Sequence, residues 1–151
     1  MAATARAEAI VPLAPEAALQ LWSDVRRWPT FVEGFARAVE VSPDWPGEGA
    51  TVVWESTPGG RGRVTERVIA TGPGGFATRI FEEALTGQQA LRASEDAEGT
   101  RVELILEYEL SKYGPLRAVA DVLFIRRALR DALRRTLRRF AVEAEEEQAL
   151  R

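Results

Sequence analysis

Six short runs between residues 37 and 110 alternate apolar and polar side chains, and each is closed by glycine, proline or an acidic turn. They cover 37–42, 51–56, 62–71, 76–83, 88–94 and 101–110, with breaks such as Pro43-Asp44-Trp45-Pro46-Gly47, Pro58-Gly59-Gly60 and Gly72-Pro73-Gly74-Gly75. After Tyr113-Gly114-Pro115 the apolar period lengthens from two residues to 3.6 and holds from Leu116 to about Gln148. Few folds accept that order. Strands joined by turns too short for a crossover must pair antiparallel. A helix that long, with one apolar stripe, must lie on the sheet those strands make. The expected class is α+β, one domain over 1–151 with a single sheet and a long C-terminal helix.

The segment before the six strands adds a seventh strand at 4–11 and two short helices. Ala14-Pro15-Glu16 opens the first helix, because proline is tolerated at the first helical position and glutamate complements the positive end of the helix dipole. Ser23-Asp24 breaks it, and Trp28-Pro29 starts a second helix that is expected to end near Gly34. The clearest strand is the last. Val102, Leu104, Leu106, Tyr108 and Leu110 face one way and Arg101, Glu103, Glu107 and Glu109 the other, with Ile105 as the exception. One face of the sheet is buried and one is wet.

On a helical wheel Val122, Ile125, Leu129, Ala132, Leu133, Thr136, Leu137, Phe140 and Ala144 form one stripe of the long helix. Arg127, Arg130, Asp131, Arg134 and Arg138 lie opposite, and Arg127/Asp131, Asp131/Arg135 and Arg139/Glu143 are spaced for pairing along the helix. Leu116, Leu123 and Phe124 break the pattern by lying on the arginine side. That side of the first turns is expected to be covered, by extra core, a loop, a partner subunit or the mouth of a ligand site.

The composition removes whole classes of chemistry. There is no cysteine and no histidine. Disulfides, thiol nucleophiles, thiolate metal sites, Ser-His-Asp and Cys-His arrangements and His-ligated metals are all excluded. No D-x-D-x-D-G loop suggests calcium, so neither a metal nor another cofactor is expected. No apolar run approaches the roughly 20 residues needed to cross a bilayer. The N-terminal stretch lacks a signal-like apolar core and carries Glu8. A cytoplasmic protein without stable membrane insertion is the expectation.

The motifs together point to a family. Pro15-Glu16, then Leu21-Trp22-Ser23-Asp24-Val25 and Trp28-Pro29-Thr30-Phe31, resemble the N-terminal signature of the bacterial polyketide cyclase/dehydrase and lipid-transport family. Gly99-Thr100-Arg101-Val102 resembles that family's turn into the last strand, and Tyr113-Gly114-Pro115-Leu116 with the arginine-rich helix also fits. With the order of elements, the whole chain resembles the START and Bet v 1-like (SRPBCC) superfamily. That resemblance implies the helix-grip fold, a seven-stranded curved antiparallel sheet wrapped around the long C-terminal helix, with two short helices after the first strand. It also implies a cavity between sheet and helix for a small hydrophobic ligand. No catalytic motif accompanies it, so the word cyclase does not transfer.

Within that frame Trp28, Phe31 and Trp54 are candidate aromatic walls, with Leu104, Leu106 and Tyr108 from the last strand and Val122, Ile125 and Leu129 from the helix. Glu66, flanked by Val64 and Val68, points inward by alternation, and a buried carboxylate is a candidate acid or base. Arg79 on the next strand could pair with it if the register allows. The leading expectation is binding or transport of a lipid, isoprenoid or polyketide-like molecule. The alternative is a cyclase or dehydratase using Glu66, Tyr108 and Arg79. A third reading is an interaction module built on the arginine face. A net charge of −3 and the lack of aromatic residues among those arginines argue against nucleic acid as a partner. A homodimer is left open.

Overall fold

The computed structural model of the chain describes residues 3–111 and 119–151, the first three of the second segment by backbone alone. The expected turn at Tyr113-Gly114-Pro115 and the expected helix start at Leu116 lie outside the described residues. The strands are β1 (Ala3–Val11), β2 (Phe35–Val41), β3 (Thr51–Ser56), β4 (Arg63–Gly72), β5 (Gly75–Phe81), β6 (Leu85–Asp96) and β7 (Gly99–Leu110). They form one antiparallel curved sheet in the order β1-β7-β6-β5-β4-β3-β2. Consecutive strands from β2 to β7 pair as neighbours, and β1 closes onto β7 with Ala5 opposite Leu106 and Val11 opposite Thr100.

Helices α1 (Pro15–Ser23) and α2 (Trp28–Phe31) follow β1, and α3 (Val119–Ala149) follows the sheet. Pro15 and Glu16 occupy the first turn of α1. A 3-10 turn at Val25–Arg27 separates the two short helices, and the Asp24 side chain caps it by accepting from the Arg26 backbone N–H. The second helix starts at Trp28 as expected but ends at Phe31, short of Gly34, because Val32 is already extended. Strand β6 begins earlier than expected, at Leu85 instead of residue 88. Thr86-Gly87 looks like a turn, but Gly87 pairs with Tyr108 inside the ladder. A Cβ there would sit 2.1 Å from the Glu107 carbonyl oxygen, so the close approach requires glycine.

The inner face carries Val102, Leu104, Leu106 and Tyr108 from β7, Leu91 from β6, Ile80 from β5 and Val64 and Val68 from β4, all buried. Ile105, which broke the alternation, is buried as well. Helix α3 runs along β1 and against α2. Its residues Leu133, Thr136, Leu137, Phe140 and Ala144 are buried. Phe140 meets Trp22 and Phe31 edge-on, at 5.4 Å and 5.1 Å between ring centroids, and those two stack at 5.5 Å. Such triads add to the apolar area their rings remove from water.

The helix arginines find partners that helical spacing does not show. Arg135 reaches Glu33 at 3.1 Å and Arg139 reaches it at 2.8 Å. Glu143 pairs with Arg27, which also holds Glu147 at 3.0 Å. Of the pairings expected along the helix, the contact nearest in kind is Arg134 with Asp131 at 3.9 Å. For Arg135, Arg139 and Glu143 the long-range pairs take the place of the helical ones, because Arg27 in the turn before α2 and Glu33 just after it supply opposite charges along the packed side of α3.

Candidate functional site

Between the inner face of the sheet and the first half of α3 lies a cavity of about 450 Å³. Strand alternation turns Trp54, Glu66, Gln89, Leu104 and Leu106 toward it, and Ile125, Leu129 and Leu133 of α3 cover it. Trp22 and Trp28 close one end, and the β3–β4 hairpin from Thr57 to Arg61 forms the rim. The volume lies within the range that holds drug-sized molecules, and the walls are predominantly apolar, as in small-molecule sites. A larger groove, about 850 Å³, runs along the edge strand β2 beside Asp24, Arg26 and Arg37. Volume does not choose between the two. The inner cavity has the buried aromatic walls and the buried acid.

That acid is Glu66. It is 5% exposed. Its Oε2 accepts from Trp54 Nε1 at 2.8 Å and its Oε1 accepts from Thr78 Oγ1 at 2.9 Å. Burial pushes its pKa above the usual carboxylate range. The Trp54 hydrogen bond, the charge of Arg61 and the Thr78 hydrogen bond oppose the rise, and the charge of Glu82 adds to it. Arg61 lies over the Trp54 ring, 5.2 Å from its centroid, and donates to Glu82 Oε2 at 2.6 Å. Gly62, with φ of +78°, supplies the left-handed residue that turns the hairpin back after Arg61. Its N–H donates to Ser56 Oγ at 2.8 Å, which fixes the hairpin over the cavity. A buried carboxyl kept in its acid form can donate one hydrogen bond, or one proton, to a molecule in the cavity.

The structure brings Trp28, Trp54, Glu66, Leu104, Leu106, Ile125 and Leu129 to the cavity wall. Four other candidates lie elsewhere. Phe31 is fully buried behind the wall, in the cluster with Trp22 and Phe140. Tyr108 is buried further along β7, away from this wall, and burial raises its pKa against the opposing charge of Arg126. Val122 is 41% exposed and is not on the cavity wall. Arg79 does not meet Glu66. In the β4–β5 register Glu66 stands opposite Ile80, and Arg79 stands opposite Arg67 on the wet face. Thr78 takes the place expected for Arg79. Sequence reasoning missed Trp22, Glu33, Arg61, Gln89 and Thr136 on the wall. For Thr78 and Gln89 the signal was present, since alternation from Phe76 and Leu91 turns both inward. Among the described residues no group of three or more His, Cys, Asp or Glu is placed to hold a metal ion.

A family model described as polyketide cyclase / dehydrase and lipid transport matches residues 2–145. The chain belongs to that family. Solved structures similar to this polyketide cyclase/dehydrase family member share its helix-grip fold. The di-domain ARO/CYC StfQ from the steffimycin biosynthetic pathway superposes with a TM-score of 0.79 at 16% identity, over 99% of this chain and 52% of its own. This chain therefore spans about half the length of that protein. A protein from Thermus thermophilus superposes with a TM-score of 0.75 at 19% identity, covering 96% of this chain and 99% of its own. Norcoclaurine synthase from Thalictrum flavum gives a TM-score of 0.64 at 14% identity, covering 98% and 97%. Sequence comparison with curated proteins finds no match. Identities this low make the structural likeness one of fold. No helix among the described residues is long and apolar enough to cross a membrane.

Proposed function

We propose that this family member binds a small hydrophobic molecule in the cavity between the sheet and the first half of α3. The observation that carries the reading is the cavity itself, about 450 Å³ walled by Trp22, Trp28, Trp54, Leu104, Leu106 and the helix residues Ile125 and Leu129. A chain of this size gains stability by filling such a space with side chains. Leaving it unfilled fits a site whose occupant comes from outside. The test is native and denaturing mass spectrometry of freshly purified protein, with thermal unfolding against a panel of apolar compounds. A defined small mass lost on denaturation, or a rise in Tm of several degrees at saturating ligand, is expected. A clean apo mass together with an unmoved Tm across the panel would overturn the proposal.

A second reading is favoured by one observation, the buried acid. With Glu66 on the wall, acid catalysis of a cyclase or dehydratase type is chemically accessible. Arg79 takes no part in it, since it faces away. Glu66→Gln is expected to abolish turnover of any substrate found for the protein, and full turnover by that variant would end this reading.

A further inference from the structure

Helix α3 carries its charge in two blocks. Seven arginines and one aspartate lie between Arg126 and Arg139, and Glu143, Glu145, Glu146 and Glu147 follow. Part of the basic block is spent inside the protein: Arg135 and Arg139 hold Glu33, and Arg134 leans on Asp131. Arg126, Arg127, Arg130 and Arg138 are exposed and have no acidic partner among the described residues. Leu123, Arg126, Arg127 and Arg130, spaced three and four apart, share one face of the helix. With Arg6 of β1 they line a groove of about 520 Å³. Arg6 has a loose, exposed contact with Glu103 at 3.7 Å. Glu107 stands opposite Thr4 in the β1–β7 ladder and does not line the groove.

Arg126, Arg130, Arg134 and Arg138 repeat at every fourth position, a spacing at which like charges weaken a helix. An anion from outside would relieve that repulsion. At the head of the same face Leu123 is 57% exposed and Phe124 is 73% exposed. The cover that their position calls for does not come from the described residues. A free phosphate would use the arginines and leave both apolar side chains in water, and so would a nucleic-acid backbone. A second copy of the chain, related by a two-fold axis, would set this basic face against itself. An anionic bilayer uses both features. Leu123 and Phe124 can enter the acyl boundary while the long arginine stems keep their guanidinium groups at headgroup level. From Arg126 to Arg138 the basic face extends about 18 Å along the helix, enough to meet several headgroups at once. The acidic block at the far end of α3 is repelled by the same surface, which fixes the end that approaches.

We propose that the arginine face of α3, with Leu123 and Phe124 at its head and Arg6 of β1 beside it, docks this protein peripherally on anionic lipid bilayers. The inference is independent of what occupies the cavity.

Cosedimentation of the full chain with vesicles tests it, using phosphatidylcholine alone and phosphatidylcholine with about 30% phosphatidylglycerol. Binding is expected on the anionic vesicles, little on the neutral ones, and less as salt is raised. Arg127→Gln and Arg130→Gln should each weaken partitioning about fivefold. Leu123→Ser combined with Phe124→Ser should weaken it about tenfold or more. All these side chains are exposed, so the thermal unfolding midpoint of each variant should stay close to that of the unaltered chain. Arg79→Gln removes the same charge from the wet face of the sheet and should leave binding unchanged. Equal binding to both kinds of vesicle, or to neither, would overturn the inference. An equal loss in Arg79→Gln would overturn it by showing adhesion through net charge alone. Loss in the arginine variants with full binding by the Leu123/Phe124 double variant would overturn it in favour of a purely electrostatic partner. Release from the vesicles by inorganic phosphate, but not by chloride of equal ionic strength, would overturn it by placing a discrete phosphate site in the groove. Preference for duplex DNA over anionic vesicles in direct competition would overturn it by naming nucleic acid as the partner.

Discussion

From Leu133 to Ala144, α3 is part of the core. Leu133, Leu137, Phe140 and Ala144 are buried, Phe140 is locked edge-on between Trp22 and Phe31, and Arg27 grips Glu143 and Glu147 from the neighbouring turn. From Val122 to Leu129 the same helix is richer in apolar residues, yet Leu123 is exposed and Phe124 is 73% exposed. Ile125 and Leu129 are half-buried against the cavity. The difference shows that residue type does not set the role of a helical turn here. The last part of the helix has aromatic residues of α1 and α2 to pack on, and the first part faces a space. Buried core contacts are therefore concentrated at one end of α3 and the lining of the cavity is centred on the other.

The sharpest way to break this contrast is to truncate both ends. Phe140→Ala is expected to lower unfolding free energy by about 3–5 kcal/mol and Leu137→Ala by about 2–5 kcal/mol. Leu129→Ala, the same chemistry as Leu137→Ala, should cost only about 1 kcal/mol without ligand, because it enlarges a space that already exists. Denaturant unfolding measures all three, and equal losses at Leu137 and Leu129 would abolish the distinction. Arg27→Met comes next. It removes the clamp on Glu143 and Glu147, whose side chains are partly shielded, and should cost about 1–2 kcal/mol with a visible salt dependence.

Glu66 makes the cavity side answer to pH. Its folded-state pKa is raised, so the native protein holds a proton that the unfolded chain releases. That contribution is fully present below the ordinary carboxylate pKa and is lost as pH rises through the raised folded value. Thermal unfolding across that range should show Tm falling less steeply with pH in Glu66→Gln than in the unaltered chain. The smallest effect belongs to Phe124→Ser, expected within about 0.5 kcal/mol of the unaltered stability. Amide exchange should show the same gradient, fast near Val122 and slow from Leu133 to Ala144.

Much of the architecture was legible because its signals are local. The change of period, the Pro15-Glu16 helix start and the clean alternation of β7 each need only a few neighbouring residues. Glu66 was readable as inward for the same reason, between Val64 and Val68. What was not legible depends on register and on distant partners. Pairing Arg79 with Glu66 required a register that the ladder does not adopt, since Glu66 stands opposite Ile80. Arg61 looked like part of a glycine-rich turn, and only the folded hairpin lays it over Trp54. The helix arginines were matched to acids four residues away, whereas Glu33 and Arg27 reach α3 from about a hundred positions earlier in the chain. Val122 was assigned inward by extending the helical stripe one turn beyond Ile125, and its 41% exposure is not visible from periodicity alone.

The placement of the tryptophans has an optical consequence. Trp22, Trp28 and Trp54 line the cavity, and Trp45, the fourth, lies 5.9 Å from Trp28 between ring centroids. Every indole in the chain is thus in the cavity wall or one ring away from it, close enough to exchange excitation. Trp54 also has its N–H on the group that titrates. Ultraviolet emission from this protein is therefore a signal of the site, with no remote fluorophore to dilute it. Occupancy and the ionisation of Glu66 should each leave a spectral mark without any added label.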